Sequence, residues 1–190
     1  ADTFYCDMRE EYNMGIRTVR TEGDECLRKV CKPVKSVSLR TRILIEDMFD
    51  TMYESGGVGL AAPQIGVLKR IVVMDTDDNQ HVLINPQILE VSGEQTGYEG
   101  CLSIPGKSGI VTRPDYVKVK ALNERGEEYV LEGEGLLARC ICHECDHLDG
   151  ILYSDKAEGG LINNEDLPED EEEELYEDAY EEFTEEEIHK

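Results

Sequence analysis

Leu136-Leu137-Ala138-Arg139-Cys140-Ile141-Cys142-His143-Glu144-Cys145-Asp146-His147-Leu148 is the stretch on which the rest of this chain turns. It contains the pattern H-E-x-x-H. On a helix, residues i and i+4 share one face, one turn apart. His143 and His147 can therefore offer two imidazole nitrogens to one metal ion, and Glu144 can reach a water bound to that ion. Leu136 and Cys140 continue the histidine face, while Leu137, Ile141 and Leu148 form a neighbouring apolar stripe. The pattern predicts a buried helix that turns polar groups inward, which is unfavourable unless a metal or a partner satisfies them. A helix with two ordinary histidines is the plainer alternative; it leaves the Glu position and the apolar flanks as coincidences.

A catalytic divalent metal usually takes three protein ligands and keeps one position for water. Downstream of the motif, Asp149, Asp155 and Glu158 lie in no recognisable second helix. The better candidate is upstream, in Tyr98-Glu99-Gly100-Cys101-Leu102-Ser103. A Cys101 thiolate is a strong ligand for iron or zinc.

Three separate blocks resemble the motifs of peptide deformylases: Gly57-Val58-Gly59-Leu60-Ala61-Ala62-Pro63-Gln64 (G-x-G-x-A-A-x-Q), Glu99-Gly100-Cys101-Leu102-Ser103 (E-G-C-L-S) and His143-Glu144-Cys145-Asp146-His147 (H-E-x-D-H), the last followed by Leu148-Asp149-Gly150. Gly23, Asp24, Leu27, Arg28 and Pro33 match a further G-D-x-x-L-R-x-x-x-x-P pattern. The resemblance runs from about Met14 to Lys156. It departs at Cys142, where the family often has Gln, so a hydrogen bond beside the first histidine is expected to differ.

That resemblance implies an α+β fold with antiparallel sheets wrapped around a central helix. It implies removal of the N-formyl group from the initiator formyl-methionine of newly made polypeptides. Cys101, His143 and His147 would hold Fe2+, with Zn2+, Ni2+ or Co2+ able to substitute. Glu144 would move the proton, and Gln64 with the backbone N–H of Leu102 would stabilise the tetrahedral oxyanion. Gly59 would contact substrate through its backbone, and Val58, Leu136, Cys140 and the stem of Arg139 would line the methionine pocket, with the Arg139 guanidinium snorkelling to solvent. Glu99 is placed with the substrate-binding residues. Glu99 and Arg113 are also candidates to support the ligands, although a surface ion pair explains Arg113 equally well.

Two other readings compete. One is a different metallohydrolase, such as a zinc endopeptidase. The other is a non-catalytic metal-binding or interaction protein with Cys140, Cys142 and Cys145 as structural ligands. Those three spread around the helix, which weakens it.

The chain has 190 residues, enough for one domain with a real core. Its net charge is −24, which argues against direct nucleic acid binding through phosphates. From residue 163 to 190 there are fifteen Asp or Glu and one Lys, so that segment carries −14 and the remainder −10. Many bacterial deformylases dock on the ribosome through a basic C-terminal helix; this tail has the opposite sign, and only transient ribosome proximity is expected. Seven cysteines form no even framework, pointing to a reducing cytoplasm. The N-terminus has no basic start followed by an apolar run, and no apolar stretch is long enough to span a membrane. A cytoplasmic monomer is expected.

The organisation expected is an extension over 1–13, a catalytic domain over 14–157 and an acidic tail over 158–190. Within the tail, Glu169–Glu174 is an unbroken acidic run, and Leu175, Tyr176, Ala179, Tyr180 and Phe183 could edge a marginal helix. Ile16–Arg20 alternates like a short strand. Ser38–Tyr53 reads as an amphipathic helix with a core stripe of Leu44, Ile45, Met48 and Met52, ended by Ser55-Gly56-Gly57. Arg70–Asp75 and His81–Asn85 form an expected hairpin across Thr76–Gln80, with a separate extended segment after Pro86. Ser103–Gly109 reads as a loop. Tyr116–Leu122 and Glu127–Glu132 form the clearest hairpin. Cys26 and Cys31 read as buried or partly buried thiols, and Ile151–Tyr153 as a last packed segment.

Overall fold

The computed structural model describes residues 15–168. The expected N-terminal extension, the acidic run from Glu169 and the apolar edge around Leu175 to Phe183 lie outside the described residues.

The first helix, α1, spans Leu39–Glu54. Ser38 caps it, its Oγ accepting from the Thr41 N–H at 3.3 Å, which satisfies one of the free donors of the first turn. Leu44, Ile45, Met48 and Met52 are buried, the stripe that the spacing predicts; each such side chain contributes about 1.5–3 kcal/mol. The helix stops where Gly56 takes φ +67° and the Gly57 N–H turns back to Met52 O at 3.0 Å, a left-handed cap that disfavours any side chain.

Five antiparallel strands form the larger sheet in the order β1-β2-β3-β6-β7: β1 Gly59–Ala61, β2 Ile71–Thr76, β3 Asn79–Ser92, β6 Tyr116–Leu122 and β7 Glu128–Glu134. The β2–β3 turn is tighter than expected. Asp77 and Asp78 alone make it, at φ 55° and 56°, the pair of left-handed residues that a two-residue hairpin needs. β3 also runs straight through Asn85-Pro86, where the sequence reads as a break. Asn85 adopts φ 53°, and its side chain clamps Val34, accepting from the N–H and donating to the carbonyl, both at 2.8 Å. The register shift between Ile84 and Gln87 absorbs the proline as a bulge. β6 and β7 pair from Tyr116↔Glu134 to Leu122↔Glu128, with Val117, Val119 and Ala121 turned to the core, as their alternation predicts.

The smaller sheet has the order β4-β5-β8: β4 Gln95–Gly100, β5 Lys107–Arg113 and β8 Glu158–Asn163. Two expectations change here. The loop after Ser103 ends early, because Lys107 already pairs with Asn163. Glu158–Asn163, read as the start of the acidic tail, is a strand. Its sequence is glycine-rich and charged and carries no alternation; the edge of β5 supplies its hydrogen bonds. Ile16–Arg20 joins no sheet. Its hydrogen bonds go to a helix side chain and a turn: Arg17 N to Thr51 Oγ1 at 2.8 Å and Arg20 N to Gln64 O at 2.6 Å.

The second helix, α2, spans Gly135–Leu148. It packs on β7, β1, β2 and β6 on one side and on β5 on another, and Ala138, Cys140–Cys145, His147 and Leu148 are all buried. A helix so enclosed lies inside the molecule. The architecture is therefore α+β, antiparallel sheets around the central motif-bearing helix. Leu152 and Tyr153 are buried below it, and of the two N-terminal thiols Cys31 is buried and Cys26 partly so.

Candidate metal centre and substrate cleft

Two pieces of chain bring three side chains together toward the C-terminal end of α2. His143 and His147 come from consecutive turns of the helix, their Nε2 atoms 3.2 Å apart. Cys101 comes from the turn after β4, which is closed by the Ile104 N–H on Cys101 O at 2.9 Å. Its Sγ lies 3.3 Å from His147 Nε2. The three ligand atoms all lie within 4.8 Å of one another. A tetrahedral ion with M–N of about 2.1 Å and M–S of about 2.3 Å sets its ligands about 3.4–3.6 Å apart, so the side chains stand close to a ligating arrangement. Among the described residues this is the one group of His, Cys, Asp and Glu able to converge on an ion; Cys140, Cys142 and Cys145 do not.

Burial holds His147 well below its usual pKa, in the neutral form that ligates. Burial opposes an imidazolium at His143 too, but its Cys101 and Glu99 partners more than offset this and push its pKa up. Soft sulfur with two imidazoles is a donor set for iron, zinc, cobalt or nickel.

Glu99 orients the first ligand. Its Oε1 stands 2.6 Å from His143 Nδ1, fixing Nε2 toward the ion position. Arg113 grips the same carboxylate with two bonds, 3.0 and 2.6 Å, and donates to Asp146 at 2.6 Å, which Lys156 also contacts. Burial alone would raise the Glu99 pKa; the hydrogen bonds from His143 and Arg113 overcome it and hold the carboxyl well below the usual range. Arg113 is 3% exposed, so the surface-ion-pair reading falls. Both Glu99 oxygens are thus held by His143, Arg113 and Arg139, while the residue also borders the cleft.

Arg139 differs from expectation as well. Its guanidinium does not snorkel to solvent: Nη1 donates to Glu99 Oε2 at 2.9 Å and to Val111 O at 3.2 Å. A buried carboxylate on the neighbouring strand β4 is the stronger partner.

Glu144 is buried, and its Oε2 has no hydrogen-bond partner among the described residues. Burial pushes its carboxyl up to about 7, the range suited to moving protons near neutrality. Gly59 of β1 lies against it: a Cβ there would meet Glu144 Oε1 at 2.6 Å and Cys140 Sγ at 2.8 Å. Gln64 sits in the tight turn Ala62–Ile65. Its Oε1 accepts from the Ala61 N–H at 2.8 Å, so the amide faces Nε2 toward Cys101 Sγ (3.6 Å) and Ser103 Oγ (3.2 Å). The Leu102 N–H has no acceptor among the described residues.

These groups line a cleft of about 920 Å³ that takes in Val58, Gly59, Gln64, Glu99, Cys101, Leu102, Leu136, Arg139, Cys140, His143 and Glu144. Thus every site residue expected from sequence borders the cleft except His147 and the supporting candidate Arg113. Sequence reasoning missed Tyr153, whose ring stacks on His143 with centroids 6.1 Å apart, and Ser103 and Asp146. Asp146 was visible in H-E-x-D-H; nothing marked Tyr153.

Among the described residues no helix is long and apolar enough to cross a membrane. Comparisons with known proteins agree with the geometry. The family model described as polypeptide deformylase matches residues 16–160. A peptide deformylase of Agathobacter rectalis is 61% identical over 148 residues, covering 78% of this chain and 94% of that protein. The crystal structure of a Legionella pneumophila peptide deformylase superposes with a TM-score of 0.72 at 42% identity, covering 86% of this chain and 93% of that one. A Met-Ala-Ser-bound class I type b peptide deformylase from Acinetobacter baumannii superposes with a TM-score of 0.72 at 36% identity, over 74% and 98% of the two chains. The chain belongs to the polypeptide deformylase family, metal-dependent enzymes that remove the N-formyl group from newly made polypeptides.

Proposed function

We propose that Cys101 Sγ, His143 Nε2 and His147 Nε2 hold one divalent ion, ferrous iron in the cell with zinc, nickel or cobalt able to substitute, and that the groups around it hydrolyse the formamide of initiator formyl-methionine. The observation that carries this reading is the convergence of the sulfur and two imidazoles beside a buried carboxylate with an unpartnered oxygen. When bound, such an ion supplies Lewis acidity toward water and the formyl carbonyl.

The remaining steps belong to the chain. Glu144 takes a proton from the attacking water and delivers it to the departing amine nitrogen. A C–O bond forms, the formamide C–N bond breaks, and formate and a free methionyl N-terminus result. Gln64 Nε2 and the Leu102 N–H donate to the oxyanion; losing one such donor typically costs about 10²–10³ in rate. Glu99 positions His143. Val58, Leu136, Cys140 and the Arg139 stem surround the first side chain, and the backbone at Gly59 contacts the peptide. The Met-Ala-Ser held by the Acinetobacter baumannii enzyme has the form of the product of such a reaction and supports this substrate class.

The catalytic domain is read as residues 14–157, with β8, Glu158–Asn163, joining its smaller sheet. The protein acts in the cytoplasm as a monomer on formylated nascent chains met near the ribosome. Its net charge of −24 opposes direct contact with RNA. The test is an anaerobic assay of formyl-Met-Ala-Ser with metal analysis of the same sample. Formate release with about one ion per chain is expected, with the iron form losing activity in air as metal and Cys101 oxidise. Undiminished hydrolysis by metal-stripped protein would overturn the reading.

A further inference from the structure

The end of the first-side-chain pocket is not a hydrocarbon wall. On β4, Gln95, Gly97 and Glu99 alternate on the face turned to α2. Gln95 donates to Gly135 O at 2.7 Å at the start of the helix, and Glu99 reaches His143 and Arg139. Gly97, between them, packs beside the Arg139 guanidinium: a Cβ on Gly97 would stand 3.6 Å from Arg139 Nη2, an ordinary contact distance. Only Nη1 is committed, to Glu99 and Val111. Arg139 Nε and Nη2 have no partner among the described residues. Neither is sealed away as Glu144 Oε2 and His147 Nδ1 are, and Arg139 and Gly97 both line the cleft. Charged N–H donors without a protein partner therefore belong to a side chain that lines the same cleft as Leu136 and Cys140.

We infer that Arg139, packed beside Gly97 on the cleft wall, is a specificity-determining residue that lets this enzyme deformylate peptides whose first side chain ends in a hydrogen-bond acceptor, with formyl-methionine sulfoxide as the substrate class beyond formyl-methionine. This rests on the deformylase reading of the same site. A thioether sulfur is a weak acceptor. The sulfoxide oxygen, one bond beyond that sulfur, is a strong and polar acceptor. An aliphatic pocket end would leave that oxygen desolvated and unpaired; a guanidinium N–H pairs with it. A hydrogen bond to a charged group is large enough to change a rate constant about tenfold or more. The bond cleaved is unchanged: water adds to the formyl carbon, formate leaves, and the sulfoxide is neither oxidised nor reduced.

The experiment compares kcat/KM for formyl-Met-Ala-Ser and for each sulfoxide epimer of the same peptide, in the wild-type metalloenzyme and in Arg139→Met, Arg139→Lys and Gly97→Val. In the wild type, at least one epimer is expected within about tenfold of the thioether substrate. The readout in the variants is the ratio of the two constants. Disturbing Glu99 and His143 lowers both constants together and leaves the ratio alone, whereas loss of a pocket donor lowers the sulfoxide selectively. Arg139→Met is expected to reduce the ratio about tenfold or more. Gly97→Val, whose methyl groups extend beyond a Cβ already in contact with the guanidinium, is expected to act in the same direction. An unchanged ratio across the variants, or a wild type that hydrolyses the thioether peptide but neither epimer, overturns the inference while leaving the deformylase reading intact. No turnover of either peptide would remove both.

Discussion

Replacing Gly59 by Ala should disable the enzyme without unfolding it. Gly59 pairs with Met74 across β1 and β2 and has no positive φ, so the backbone accepts alanine. What does not accept it is the site. The new Cβ would meet Glu144 Oε1 at 2.6 Å and Cys140 Sγ at 2.8 Å. A comfortable contact needs about 3.4 Å or more, so Glu144 must retreat by roughly 0.8 Å, and it is buried with little room to do so. Misplacing a reacting group by about 1 Å can cost about 10²-fold in rate, and overpacking a core typically costs about 1–3 kcal/mol. The expected result is a kcat/KM loss of about 10²-fold on formyl-Met-Ala-Ser, with the metal retained, since none of the three ligands is touched. Gly57→Ala is the control. Its Cβ would meet Leu102 Cδ1 at 2.8 Å, the end of a side chain that can turn, so a loss below about tenfold is expected. The steric reasoning is refuted if Gly59→Ala is folded and keeps activity within about twofold of the wild type.

Glu144→Ala should retain its metal, measured by plasma emission, while kcat falls about 10²–10⁴-fold; loss of the ion in that variant would contradict the proton-carrier role. Asn85→Ala should lower the free energy of unfolding by about 2–4 kcal/mol in urea titrations, combining a left-handed φ unsuited to alanine with two lost bonds to Val34; a loss under about 0.5 kcal/mol would show the clamp to be idle. Burial pushes the Cys31 thiol up to about 11, so at pH 8 only about one molecule in 10³ carries the reactive thiolate. Iodoacetamide labelling read by mass spectrometry should leave Cys31 unmodified until denaturant is added.

Much of the site was legible before any coordinates because its chemistry is local. The two histidines and Glu144 share one helical turn, and the hairpin of β6 and β7 alternates cleanly over seven residues on each side. What could not be read depends on contacts between distant segments. Arg139 and Glu99 are 40 residues apart, and only the pairing of β4 with β5 beside α2 reveals that they meet. The same holds for Arg113, whose burial follows from two carboxylates on different elements. β8 escaped because glycine and glutamate give no strand signal when hydrogen bonding to a waiting edge decides the matter. β3 was split at Asn85-Pro86 because proline normally ends a strand, and here a bulge accommodates it.

The most direct test of the coordination sphere is the absorption spectrum of the cobalt-substituted enzyme, wild type against Cys101→Ala, with metal stoichiometry on the same samples. A thiolate-to-cobalt charge-transfer band at about one ion per chain is expected in the wild type, and its disappearance, with weakened binding, in Cys101→Ala. A wild type without that band, or a Cys101→Ala protein whose spectrum and stoichiometry match it, would contradict the account.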